Sequence, residues 1–223
     1  MADFREPQPP FRLYRELDRG EQLVVFGDPA ESGDSCAASA FSKKYFDFPF
    51  IFNQVIESSQ FGYELHNMCK YINNKTEIWP KLAVERNTGQ ATIFVLKTLN
   101  YSNLFRMVDF TALDSHEGGG IGWVTTGYMR GGELQGTRKK MLDDLALALK
   151  QGQVKLYDLE QIEQMQSFII AKGGRMQAKA NKHDDLVFSS AGAWQIHLVT
   201  PTEYLDEYDE QWAWENRQKW RFK

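Results

Sequence analysis

The chain has 223 residues, 42% hydrophobic and 13% aromatic, enough to bury a substantial core and short enough that one globular domain with appendages is expected. No apolar stretch approaches the roughly 20 residues of a membrane span, and Met1-Ala2-Asp3-Phe4-Arg5 lacks a basic segment followed by an apolar one, so a soluble intracellular protein is expected. A formal net charge of −4 argues against a nonspecific nucleic-acid coat, which depends on Lys and Arg neutralising phosphates. It leaves room for a local basic face drawn from Lys43-Lys44, Arg138-Lys139-Lys140, and Lys172, Arg175, Lys179 and Lys182.

Residues 1–20 carry Pro7, Pro9 and Pro10, then Phe11, Leu13 and Tyr14, and read as a lead-in linker outside the core. A buried strand over 21–28, a turn over 28–34 and a strand over 35–41 make a hairpin, and the aromatic, β-branched run 48–56 adds another strand. Leu65, Met68, Cys69 and Ile72 stand at helical spacing within 61–74. Cys36 and Cys69 lack the close pairing of a zinc or redox motif and read as buried free thiols.

A short apolar strand at 81–85 passes through the turn Asn87-Thr88-Gly89 into a helix holding Ala91, Phe94, Val95 and Leu96. Residues 101–108 and 121–126 read as strands flanking a Gly-rich tip over 114–120, whose Gly118-Gly119-Gly120 is either a gating loop or a plain hairpin end. The clearest helix spans 137–150, with Met141, Leu142, Leu145 and Leu149 on one face and Gly152 as its stop. A brief strand over 154–157 follows, and Asp158 caps a helix over 159–170. Strands alternating with helices after a run of hairpin strands predict an α/β fold: a mixed sheet, antiparallel strands first and parallel strands after, flanked by helices. The expected organisation is a linker over 1–20, a domain over 21–200 and a tail over 201–223 rich in Trp212, Trp214, Trp220 and Phe222.

Three acidic stations stand beside apolar runs: Asp28 after Leu23-Val24-Val25-Phe26-Gly27, Glu85 after Leu82-Ala83-Val84, and Asp184-Asp185 before Leu186-Val187-Phe188. Two unit charges about 4 Å apart repel by roughly 4 kcal/mol at an effective dielectric near 20, so converging acids require a cation. Hard oxygen ligands with open positions suit Mg²⁺ or Mn²⁺, and paired ions of this kind hydrolyse phosphodiesters. With Asp28 ending the first strand, Glu85 the fourth and Asp185 opening a helix, the three would meet at one edge of the sheet, the RNase H type of site. Adjacent helical side chains diverge by roughly 100°, so only one of Asp184 and Asp185 faces a given ion, and Asp185 is preferred.

Val25-Phe26-Gly27-Asp28-Pro29-Ala30 with Gly33-Asp34, Val84-Glu85-Arg86-Asn87 with Gly89, Gly136-Thr137-Arg138-Lys139-Lys140-Met141-Leu142, and His183-Asp184-Asp185-Leu186-Val187 occur in that order. They resemble the nuclease motifs of phage terminase large subunits over about residues 22–199, most of the chain. The resemblance implies an RNase H-like endonuclease that cuts concatemeric viral double-stranded DNA during packaging, in the cytoplasm of the infected host. A water activated by two Mg²⁺ or Mn²⁺ ions would attack the scissile phosphorus. By motif position Asp28, Glu85 and Asp185 would be the catalytic metal ligands, with Asp184 or Asp34 serving a second ion. His183 would be an outer ligand or proton carrier, or a plain polar residue before a helix. Arg138, Lys139, Lys140, Lys179 and Lys182 would hold flanking phosphates. No Gly-x-x-x-x-Gly-Lys-Ser/Thr loop is present, so the packaging ATPase would be a partner supplied elsewhere, alongside the portal and small terminase subunit. The lead-in favours a domain excised from a longer chain, and the aromatic tail would either fold onto the domain or dock on the portal. The rival readings are a resolvase of related architecture acting on branched DNA, and a non-catalytic module that grips DNA or docks on the portal.

Overall fold

The computed structural model describes residues 7–30, 34–107, 120–130, 133–170, 176–179 and 182–201. A five-stranded sheet is built from β1 (Phe11–Leu13), β2 (Leu23–Asp28), β3 (Cys36–Ser42), β4 (Asp47–Gln54) and β5 (Lys81–Val84) in the order β1-β4-β3-β2-β5. Every pairing is antiparallel except that of β2 with β5, which is parallel. This is the mixed sheet expected, antiparallel strands first.

Alternation along the strands splits the core in two. Val25, Ala38, Phe50 and Leu82 face α1 (Ser58–Thr76) and α2 (Gln90–Thr98), packing with Phe61, Leu65, Ile72 and Leu96. Val24, Phe26, Ala37, Phe41 and Ala83 face the other way, toward α3 (Thr137–Lys150) and α5 (Asp185–Val199). Leu186 through Ile196 are all buried, as befits a helix covered on every side. Its polar residues are met inside the protein: the Ser189 Oγ lies 2.8 Å from Ser39 Oγ, and Gln195 Nε2 donates to Asp144 at 2.7 Å. Gly192 makes the close approach possible, since a Cβ there would lie 2.3 Å from the Phe26 ring.

Helix α3 has the expected bounds, and Asp158 caps α4 (Leu159–Ser167) by accepting from Gln161 N at 2.7 Å. Both cysteines are buried and free. Other expectations need correction. The lead-in is no mere arm: β1 pairs with β4, and the buried Phe11 ring packs 5.8 and 4.9 Å from Phe50 and Phe52. Residues 154–157 supply a single bridge, Asp47 to Lys155, and 101–107 with 121–123 supply isolated bridges in place of strands. Helix α4 ends at Ser167, where the aromatic and β-branched β8 (Phe168–Ile170) pairs with β9 (Met176–Ala178), while β6 (Tyr128–Arg130) and β7 (Glu133–Gln135) form a second small ribbon. Gly118, Gly119, Lys172, Arg175 and residues 202–223 lie outside the described residues.

Candidate active site

Register brings two of the acids side by side. Gly27 pairs with Val84, and Glu85 N donates to Gly27 O at 2.9 Å, so Asp28 and Glu85 follow side by side at the carboxyl ends of two parallel strands. Asp28 alternates with Phe26 and Glu85 with Ala83, which turns both toward α5. That helix starts at this end of the sheet and finishes at the other, where Lys43 Nζ donates to Thr200 O and Pro201 O, each at 2.8 Å. Asp185 lies two turns before Gly192, on the stripe that touches the sheet.

The electrostatics agree with this layout. Burial holds the Asp28 carboxyl well above the ordinary carboxylate range, the charges of Glu85 and Asp185 push it further, Arg138 opposes and Asp184 adds. Asp185 is raised to about 6 by burial, then by Asp184 and Asp34, with His183 and its own backbone N–H acting against them. Asp34 is exposed but close enough for its charge to act on Asp185. His183 is 70% exposed, and its Nδ1 lies 3.8 Å from Asp185 Oδ2.

Hydrogen bonds separate the neighbouring acids. Asp184 Oδ2 accepts from Ala178 N at 3.2 Å, turning that carboxylate toward β9. Asp185 Oδ2 is buried without a hydrogen-bond partner among the described residues. Glu85, only 8% exposed, accepts at Oε2 from Thr88 N and Thr88 Oγ1, each at 3.0 Å. Among the described residues no group of three or more His, Cys, Asp or Glu side chains is already drawn together around a single ion position. The donor set nevertheless fits a hard divalent cation: it is carboxylate oxygen, it is crowded with like charge, and one buried oxygen is unmet.

The basic residues divide. Arg138 stands 3.9 Å over the Phe188 ring, in charge range of Asp28. Lys139 and Lys140 pair with Asp143 and Asp144 one turn along α3, and Asp144 also accepts from Gln195 of α5. Lys179 and Lys182 are exposed ahead of α5, where Lys182 N donates to Lys179 O at 3.0 Å. Two residues near the acids escaped the sequence reading. Thr88 lies in the Asn87-Thr88-Gly89 turn, where a Thr is ordinary. Trp123, bridged to Glu85, keeps a buried indole N–H without a partner among the described residues, and no local pattern announces it.

A sheet of this order, with acids at the ends of two parallel strands and at the start of the covering helix, is the RNase H-like fold. More narrowly, it is the fold of the large terminase nuclease domains. The large terminase nuclease from thermophilic phage G20c superposes with a TM-score of 0.60 at 16% identity, covering 85% of this chain and 90% of that one. The Thermus phage P74-26 large terminase nuclease domain gives 0.59 at 15%, covering 86% and 87%. The human cytomegalovirus terminase nuclease domain gives 0.51 at 14%, covering 79% and 83%. The G20c nuclease has been solved with bound magnesium, cobalt and zinc. No family model and no curated protein matches the sequence.

Proposed function

We propose that this chain is the metal-dependent endonuclease domain of a large terminase, cutting double-stranded viral DNA during genome packaging in the host cytoplasm. What supports the reading is that Asp28 and Glu85 end adjacent parallel strands, Asp185 opens the helix packed on that face, and the charges of Glu85 and Asp185 act on Asp28. The metal-bearing structures of the G20c nuclease support the same reading. Partners would be DNA, a terminase ATPase domain, the portal and the small subunit. No helix among the described residues is long and apolar enough to cross a membrane.

Asp28, Glu85 and Asp185 would hold the ions, with Asp34 nearer than Asp184 to serving a second one, because Asp184 is engaged by Ala178. Two Mg²⁺ or Mn²⁺ ions, when bound, would supply activation of the attacking water and charge stabilisation at the leaving oxygen. Asp28 and Asp185 hold their protons more tightly than ordinary carboxylates, so loading the site would release protons and affinity would rise with pH, for the Asp185 share through about 6. His183, with Nδ1 3.8 Å from Asp185 Oδ2, would stand beside the ions as an outer ligand or proton carrier. Arg138, braced on Phe188, would hold a phosphate next to Asp28.

The test is cleavage of plasmid DNA with Mg²⁺ or Mn²⁺, with chelator, and with Asp28→Asn. Nicking and linearisation that need the ion and vanish in the variant support the proposal. Cutting by Asp28→Asn equal to wild type refutes it, and a strong preference for four-way over linear DNA would favour the resolvase reading.

A further inference from the structure

We infer that Thr88 is a positioning residue that presents Glu85 to the metal, an inference resting on the nuclease reading above. Thr88 meets Glu85 twice, through its backbone N–H and its hydroxyl, both at 3.0 Å and both on Oε2. The arrangement leaves Oε1 as the oxygen available to an ion, the usual division of labour when an outer group orients a ligating carboxylate. The same hydroxyl lies 2.9 Å from Pro29 O, the residue after Asp28. A hydroxyl has one proton, so it serves Glu85 or Pro29 at a given moment. Thr88 therefore joins the two loops that carry Asp28 and Glu85.

Surrounding contacts fix this junction. A Cβ at Gly89 would lie 2.1 Å from Glu85 O and 3.1 Å from Pro29 Cγ, so the turn after Glu85 lies flat on Pro29 only because residue 89 has no side chain. Ser58 Oγ donates to Ala30 O at 3.0 Å, and Thr92 Oγ1 donates to Ser58 O at 2.6 Å, tying the Asp28 loop to α1 and α2. From the other side Asn87 Nδ2 donates to Thr125 O at 2.6 Å. Among the described residues, the Thr88 hydroxyl is the side-chain group within hydrogen-bond distance of the Glu85 carboxylate, beside the Thr88 backbone N–H.

The experiment is a Mn²⁺ titration of the whole chain by electron paramagnetic resonance, with denaturation in chelator beside it, for wild type, Thr88→Val and Thr88→Ser. Loss of the hydroxyl at constant shape should weaken Mn²⁺ binding by about tenfold and slow cleavage with it, while Thr88→Ser stays within about twofold of wild type. Thr88→Ala gives the same readout should Thr88→Val fail to fold. Unchanged Mn²⁺ affinity in the hydroxyl-free variants overturns the role of Thr88 alone. So does equal loss in Thr88→Ser, or a loss of stability in chelator without loss of affinity. Wild-type protein that neither binds Mn²⁺ nor cuts DNA overturns the nuclease reading and this inference with it.

Discussion

Replacing Asp185 by Asn should stabilise the metal-free protein while abolishing its response to metal. The Asp185 side chain is only 17% exposed, and its carboxyl is raised from 3.8 to about 6, chiefly by burial and then by Asp184. A displacement of that size is worth about 3 kcal/mol between the two protonation states. Because the folded pKa is above the unfolded one, the folded protein binds more protons between pH 3.8 and about 6. Stability therefore falls as pH rises through that window, and the full penalty is present above it. Asparagine carries no such penalty, although losing a negative charge at the start of α5 gives back about 0.5–1 kcal/mol. The net gain should be about 2 kcal/mol at pH 7 and should shrink toward zero near pH 4. Wild type should gain about 1.4 kcal/mol from Mn²⁺ at ten times its dissociation constant, and the variant none. Urea denaturation at both pH values, in chelator and in Mn²⁺, reads every arm. A variant less stable than wild type at pH 7 in chelator, or equally stabilised by Mn²⁺, would refute the reasoning.

Arg15→Met should destabilise the fold by about 3–5 kcal/mol in chemical denaturation. Arg15 grips Glu21 at 2.5 Å and Asp47 at 2.8 Å, two carboxylates with 0% and 1% side-chain exposure that would be left buried beside an apolar group. Gly192→Ala should cost about 1–3 kcal/mol by overpacking, because its Cβ would fall 2.3 Å from the Phe26 ring. As α5 carries Asp185, the same variant should weaken Mn²⁺ binding, whereas Arg15→Met should leave the affinity of the folded protein near wild type.

The main strands, the helix 137–150 and the middle of the helix 58–76, read as 61–74, were legible because they rest on short-range patterns: apolar alternation, helical spacing, a capping Asp158. The parallel register that sets Asp28 beside Glu85 was not, because it depends on β5 pairing with β2 across the intervening hairpin and helix. Less legible were features decided by distant partners. Phe11 becomes core only because β4 offers Phe50 and Phe52, about 40 residues away in the sequence. Residues 101–107 and 121–123 have strand-like composition, yet each finds only isolated bridges. In the site, the divergence of Asp184 from Asp185 followed from helical geometry, but the grip of Ala178 on Asp184 did not. Thr88 was hidden for the opposite reason: a Thr in an Asn-Thr-Gly turn is ordinary, and its importance comes from what stands above it.

The acids work against the fold, so their placement needs elements with stability to spare, and the contacts identify them. The lead-in strand clamps α4: Arg12 Nε and Tyr14 OH both reach Asp158 Oδ2 at 2.5 Å, at the residue that caps α4. Near the far end of α4, Gln164 Oε1 accepts from Leu186 N at 2.8 Å, occupying a first-turn N–H of α5. That bond falls one residue after Asp185. A charged carboxylate forced against Asp28 would otherwise be relieved by fraying the first turn, where backbone N–H groups have no helical acceptor. Gln164 removes that escape, and the Ser39–Ser189 contact with the seat of Gly192 on Phe26 holds the next two turns. The repulsion between charged carboxylates is therefore not relaxed by fraying, and protonation of Asp28 or Asp185, or a bound divalent cation, would relieve it without unfolding α5.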